Sequence, residues 1–328
     1  MLPVELPAHL RGAAMKVAWN LQRGVALILV LWVSILLTVI AGSFAFAART
    51  DMQVVQNSVA MARAEAAANA GIYRILYDLY KPQNDEERWK ADGQTHDMTF
   101  GGLKLAVSAL DESGKIDINA AAVDLMKGLF LAAGATEEEA TALVDAVQDW
   151  RDNDSLRRLN GAEEAEYRAA GLKYKPANVP FQTIEELQLV LGMKPEIYRR
   201  IVGIITVYSR QPGINVTIAS RAALLAIPGT SAEQVDAYIS QREAARAAKQ
   251  PLPPFAPGAP FAGLAYNFAF SLRAAARLDD GTVFVREAVA QVLPHPQRPY
   301  TFLSWKEATP VSSESLIETS TAQNVQSK

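Results

Sequence analysis

The sequence predicts an α+β chain. A long N-terminal helix, first transmembrane and then amphipathic, packs on an antiparallel β-sheet into which a large all-α domain is inserted. Three observations predict this. Val25 to Ala48 form a run of 24 uncharged residues, and no proline interrupts the chain from there to Lys81. Period-two alternation marks strands near residues 103–118 and again from Phe268 onward. Between these two strand regions, roughly 120 residues carry apolar side chains three and four apart, a normal size for one helical unit.

The apolar run would span about 36 Å as a helix, enough to cross a bilayer's hydrocarbon core. It is too long for a cleaved secretory h-region of about 7–15 residues. The leader before it, residues 1–24, holds Arg11, Lys16 and Arg23 against the single acid Glu5, so the N-terminus stays cytoplasmic. Met15 is a second possible start within this leader. Beyond Ala48 the pattern turns amphipathic. Met52, Val55, Val59, Ala62 and Ala66 line one face, with Ala70, Tyr73, Leu76 and Tyr80 continuing it. This stripe is expected to pack partly on the chain's own sheet and partly on partner helices.

Pro82 to Asp97 reads as a charged loop. Leu103, Leu105, Val107 and Ala109 then alternate as a strand, Asp111 to Gly114 as a turn, and Ile116 and Ile118 as the return arm of a hairpin. Helical spacing follows over 121–133, 136–150, 162–170, 183–191, 195–208, 219–226 and 231–246, separated by turn residues such as Gly134, Gly171 and Gly192. Residues 247–263 are too rich in proline for helix or central strand and read as a connection. Strands resume through Phe270, Leu272, Val283 and Val285 to Tyr300–Trp305. The domain plan is therefore a leader (1–24), the two halves of the long helix (25–48 and 49–81), a sheet domain (98–119 with 264–306), a helical insert (120–246), a proline-rich connection (247–263) and a disordered tail (310–328).

Composition removes several functions. A net charge of -3 gives no electrostatic footprint for nucleic acid. With no cysteine there is neither a disulfide framework nor a thiolate metal site. The three histidines, His9, His96 and His295, have no nucleophile or zinc-type spacing near them. No nucleophile elbow, P-loop or dinucleotide fingerprint occurs, so the chain is not expected to be an enzyme.

The chain resembles the general secretion pathway protein K family, the largest minor pseudopilins of the type II secretion system. The resemblance rests on RGVALILVLWV at the membrane junction, AEAAANAGIYRILYDL at the helix end and DESGKIDINAA at the turn. Within the helical block it rests on DWRDNDS, GAEEAEY, FQTIEEL and INVTIASRAALLAI, and near the C-terminus on LSWKE. It implies a pseudopilin fold anchored in the bacterial inner membrane by a single pass, with the C-terminal domain in the periplasm. It also implies cleavage between Gly24 and Val25 by the prepilin peptidase, methylation of the new N-terminus, and a complex with minor pseudopilins I and J at the tip of a pseudopilus that supports protein export.

Counting from Val25, the fifth residue is Leu29, where most subunits of the class carry a glutamate that pairs with a neighbour's N-terminal ammonium. A carboxylate without such a neighbour is costly in a bilayer, so leucine suits a terminal subunit. The resemblance also implies Ca2+ in the region of Asp149, Asp152, Asp154, Glu163 and Glu164. Taken alone that acid cluster is not an EF-hand, because the loop glycine and the closing glutamate are missing, and Arg151, Arg157 or Arg158 would serve to neutralise it. The alternative function is a membrane-anchored DNA-binding or uptake protein. It rests on Leu224 to Glu243, which looks like a helix-hairpin-helix with Ser231 in place of the second turn glycine and with Arg221, Arg242, Arg246 and Lys249 nearby.

Overall fold

The computed structural model describes residues 22–82, 84–85, 87–263, 268–293, 295 and 297–309. The expectations for the leader up to residue 21 and for the tail 310–328 lie outside the described residues. Two compact units divide at Ala60 and Met61. The first helix, α1 (Gln22–Tyr80), contributes to both.

In the first unit, Val25 to Val59 are exposed, and the helix is by length and composition apolar enough to cross a membrane. Several of its hydroxyls bond within the helix itself. Thr38 donates to the Ser34 carbonyl at 2.8 Å, Ser43 to Ile40 at 2.8 Å and Thr50 to Phe46 at 3.1 Å. A helix surrounded by hydrocarbon requires this, because no water is there to take the donors.

The second unit holds a five-stranded antiparallel sheet in the order β1 (Asp92–Phe100), β2 (Leu103–Asp111), β5 (Ala269–Arg277), β6 (Val283–Val292) and β7 (Tyr300–Ala308). Alternation puts Leu105, Val107 and Ala109 of β2 in register with Ala276, Ala274 and Leu272 of β5 on one buried face. The last turns of α1 bury Ala64, Ala67, Ala68, Ile72, Ile75 and Leu79. Gly71 sets how closely helix and sheet approach. A Cβ there would lie 2.9 Å from Ala274 Cβ, 3.0 Å from Val107 Cγ1 and 3.1 Å from Leu105 Cδ2. Arg286 of β6 adds a polar anchor, donating to Asn69 at 2.8 Å and to Glu65 at 2.7 Å. Gly71→Val is expected to cost about 1–3 kcal/mol through overpacking, read as a lowered melting temperature of the full chain.

Two strand expectations are corrected. The segment read as a charged loop up to Asp97 contains most of β1, which pairs with β2 from Asp92↔Leu110 to Phe100↔Leu103. As an edge strand, β1 is solvated along most of its length and so shows no clean alternation. Its hairpin turn is Gly101-Gly102, both at positive φ, as a two-residue connection needs. Nor do Ile116 and Ile118 return as a hairpin arm. Glu112–Gly114 is a 3₁₀ turn capped by Asp111, whose carboxylate accepts from the Ser113 N–H. After it, β3 (Ile116–Asp117) pairs in parallel with β4 (Ile205–Thr206) in a separate two-stranded sheet.

The insert is built from α2 (Val123–Ala132), α3 (Glu137–Arg151), α4 (Glu164–Ala169), α5 (Pro195–Ile201), α6 (Arg221–Leu225) and α7 (Ala232–Ala247). The helix expected over 195–208 stops at Ile201, because the β-branched run Ile204 to Val207 extends into β4. Residues 184–189 form a 3₁₀ helix rather than an α-helix, as do 256–261 within the proline-rich connection. Ile116, Ile118, Leu125, Leu129, Phe130, Val147, Tyr167 and Phe181 share one core, so β3 belongs to the insert and not to the large sheet. Asn119 clasps the Phe181 backbone from both sides, donating to its carbonyl at 2.9 Å and accepting its N–H at 2.8 Å. Trp150, stacked on Phe181, carries that lock to the end of α3.

Candidate functional site

The acid cluster grows from the last turn of α3. Thr136 and Glu139 close a capping box at the start of that helix, and Asp152 caps its end. Asp149 is fully buried in the last turn. Its carboxylate accepts the Arg158 N–H at 3.2 Å and lies 3.6 Å from the Arg158 guanidinium. The same guanidinium is 3.8 Å from Asp152 Oδ2. Gly161 is obligatory here, since a Cβ would sit 2.0 Å from Asp149 Oδ2.

Glu163 enters from the other side as the N-cap of α4, only 7% exposed. Its Oε1 and Asp152 Oδ1 are buried without a hydrogen-bond partner. Burial pushes the carboxyls of Asp149, Asp152 and Glu163 above the usual carboxylate range. Repulsion adds to it, from Asp152 on Asp149, from Asp154 on Asp152, and from Asp149, Asp152 and Asp154 on Glu163.

Of the expected ligands, the fold thus gathers Asp149, Asp152 and Glu163, with Asp154 at the rim accepting from Leu156 N–H. Glu164 is not drawn in. As the first residue of α4 it points along the helix to Arg168 at 2.6 Å and also meets Lys175 at 3.2 Å. Among the described residues, no three or more His, Cys, Asp or Glu side chains already stand together as a metal site. Even so, the chemistry of the donor set suits a hard cation: carboxylate oxygens, two of them orphaned, with Asp149 and Asp152 facing one guanidinium. Of the three arginines nearby, Arg158 is the one ion-paired with the group, and the Arg151 charge also favours ionised Asp152. Arg151 donates to the Ile118 carbonyl, and Arg157 pairs with Glu166 at 3.2 Å. Asn178 was not foreseen. It takes a left-handed conformation, donates its backbone N–H to the Trp150 carbonyl at 2.9 Å, and its side chain holds the Asp154 carbonyl.

The expected assembly stripe is exposed throughout. Met52 is 66% accessible, Val55 60% and Val59 54%, and Ala62 and Ala66 are exposed as well. Within the second unit Ala62 and Ala66 do not make the expected contact with the sheet, but the continuation of the stripe does, Leu76 being buried and Tyr73 meeting the Tyr300, Phe302 and Trp305 rings of β7. Ala64, Ala67, Ala68 and Gly71 beside it are buried, and at Gly71 the lack of a side chain sets the close approach of helix to sheet.

Residues 104–210, from β2 through the acid cluster to the loop after β4, match the model of the type II secretion system protein K family. Over those residues the chain is similar to that family. Type II secretion system protein K of Klebsiella pneumoniae is 28% identical over 228 residues, covering 62% of this chain and 69% of the relative. The Pseudomonas aeruginosa protein K is 26% identical over 242 residues, 66% of this chain and 72% of the relative. A chain in the crystal structure of the GspK-GspI-GspJ complex from enterotoxigenic Escherichia coli shares the fold, with a TM-score of 0.54 at 16% identity over 80% of this chain and 99% of the other. The α+β pseudopilin fold is thus shared with a chain of that complex.

The segment that looked like a helix-hairpin-helix is occupied internally in this chain. Ser231 Oγ accepts the Gln234 N–H at the start of α7. Arg221 makes a bidentate pair with Asp236 at 2.6 and 2.9 Å. Arg242 is buried against the Val216 and Ala219 carbonyls, and Arg246 donates to Thr217. These cations are committed to the fold and do not form a phosphate-binding face.

Proposed function

We propose that the chain is the minor pseudopilin that caps the periplasmic pseudopilus together with minor pseudopilins I and J, initiating assembly and supporting export of folded proteins across the outer membrane. In this reading the prepilin peptidase cuts after Gly24, the N-terminus lies on the cytoplasmic side, and Val25 to Ala48 anchor the chain in the inner membrane. Leu29 then leaves no charge that needs a subunit above it. The observation that carries the reading is the row Met52, Val55 and Val59, large apolar side chains left exposed beyond the apolar run. Partner helices of the same construction would cover it.

The same reading gives the acid cluster a structural calcium ion. Asp149, Asp152, Asp154 and Glu163 would hold it, and its charge would offset the repulsion that burial now concentrates there. This chain's own part is to bring α3, α4 and the 152–163 loop together by the capping boxes and the tight approach at Gly161.

Val55→Asp and Val59→Asp test the assembly face. Burying a side chain of valine size contributes roughly 1.5–3 kcal/mol, so each change is expected to weaken association about tenfold or more. Because both side chains are exposed, the melting temperature of the chain should stay unchanged. Co-purification with partner pseudopilins and secretion of exported proteins are the measurements. Both surviving intact in both variants would remove the stripe as an interface.

A further inference from the structure

We propose that Arg158 is a tethered counter-ion that holds the acid cluster closed without metal and must leave when a divalent cation enters. This rests on the calcium reading above and deepens it by naming what sets the affinity.

The Arg158 guanidinium lies against oxygens that a cation would need, Nε facing Asp149 Oδ1 at 3.6 Å and Nη2 facing Asp152 Oδ2 at 3.8 Å. Calcium takes six to eight oxygens at about 2.3–2.6 Å, so it and the guanidinium cannot share those atoms. Charge repulsion between them works in the same direction. Arg158 does not complete the site either. Asp152 Oδ1, on the carboxylate that Nη2 faces, stays buried and unpartnered, and so does Glu163 Oε1 across the cluster. An arginine that belonged there permanently would satisfy them with its remaining N–H groups.

The two ion pairs are also weak by geometry. Charge-assisted pairs close to about 2.7–2.9 Å, whereas these stand well outside that range. The Arg158 side chain is nearly half exposed, so water screens them further.

The loop is free to let Arg158 go. On either side of it, Leu156 and Leu159 are 78% and 87% exposed and pack on nothing. What fixes the loop is the backbone, through the Arg158 N–H on Asp149 and the Asn160 N–H on Asp145 at 3.1 Å. The side chain can therefore swing out while the main chain stays in place. Of the other nearby cations, Arg157 is held by Glu166, and Arg151 is held by the Ile118 carbonyl while its charge adds to that of Arg158 at Asp152.

Calorimetric titration of calcium chloride into the detergent-solubilised full chain tests this, comparing wild type with Arg158→Met, Arg158→Lys and Arg157→Met. Two half-exposed pairs together predict that Arg158→Met tightens calcium binding about tenfold. Arg158→Lys should fall between it and wild type, and Arg157→Met should match wild type. In chelator, Arg158→Met should melt below wild type, so that its gap between chelator and calcium widens. Equal affinity in wild type and Arg158→Met overturns the inference and leaves the calcium reading standing. So does equal tightening by Arg157→Met, which would mean diffuse charge, and so does loss of binding in Arg158→Met. If neither wild type nor any variant takes up calcium, the calcium reading itself falls and this inference with it.

Discussion

A chain carrying Gly24→Leu is expected to remain unprocessed, with its leader attached, and to be absent from assembled pseudopili. The argument starts with the 24 uncharged residues from Val25 to Ala48, too long for a secretory signal that is cut at its far end. Processing, if it occurs, must fall before the run. Gly24 lies near the start of α1, only two residues from Gln22. A glycine costs a helix about 1 kcal/mol relative to alanine, so the backbone opens most cheaply at the bond to be cut. Leucine closes that weak point, adds a side chain at the bond and extends the apolar helix toward the leader. Mass spectrometry of the membrane-extracted protein gives the answer directly. Wild type should begin at Val25 and Gly24→Leu at Met1 or Met15. Wild-type protein still beginning at Met1 or Met15 in a peptidase-competent cell would make the run a plain signal anchor.

What the sequence announced and what it hid follow from the same physics. The membrane half of α1 and the strands β2, β5 and β6 were legible because burial on one face writes itself as period two or as an unbroken apolar run. β1 was not, since an edge strand solvated on both faces has no face to mark, although Gly101-Gly102 already carried the hairpin signal. Alternation at Ile116 and Ile118 showed a buried strand but not which sheet buries it. That depends on β4, some ninety residues away. The face of α1 was misjudged for another reason. Hydrophobic scales rank valine and methionine above alanine and glycine, yet the buried face of α1 mixes small residues such as Ala64, Ala67 and Gly71 with Ile72, Ile75 and Leu79 and leaves Met52, Val55 and Val59 exposed.

The acid cluster shows the same division. Carboxylate density was visible in the sequence, but the outward turn of Glu164 and the choice of Arg158 among three arginines depend on where α4 begins and what the neighbouring carbonyls accept. Asn178 gave no local signal beyond its tolerance of a left-handed backbone.

Removing calcium from the full chain is expected to loosen the insert while the five-stranded sheet persists. Asp149 and Glu163 are buried and Asp152 half-buried beside them, all three with raised carboxyl pKa values, so without metal they repel across the joint between α3 and α4. Saturating metal should stabilise the fold by linkage, about 2.7 kcal/mol at a hundredfold excess over the dissociation constant. The Asp152→Ala, Asp154→Ala double variant should abolish that shift and still fold, since neither side chain is locked in the core. Asp149 is a poorer choice for the test. It also accepts the Arg158 N–H and packs on Gly161, so its loss would disturb the loop even without metal. Hydrogen exchange locates the effect. In chelator the amides of residues 152–163 should lose protection while those of β5 and β6 keep theirs, because the paired strands share no contact with the cluster's charge. Calorimetry with no calcium uptake by wild type, together with an unchanged melting temperature in chelator, would remove the calcium reading.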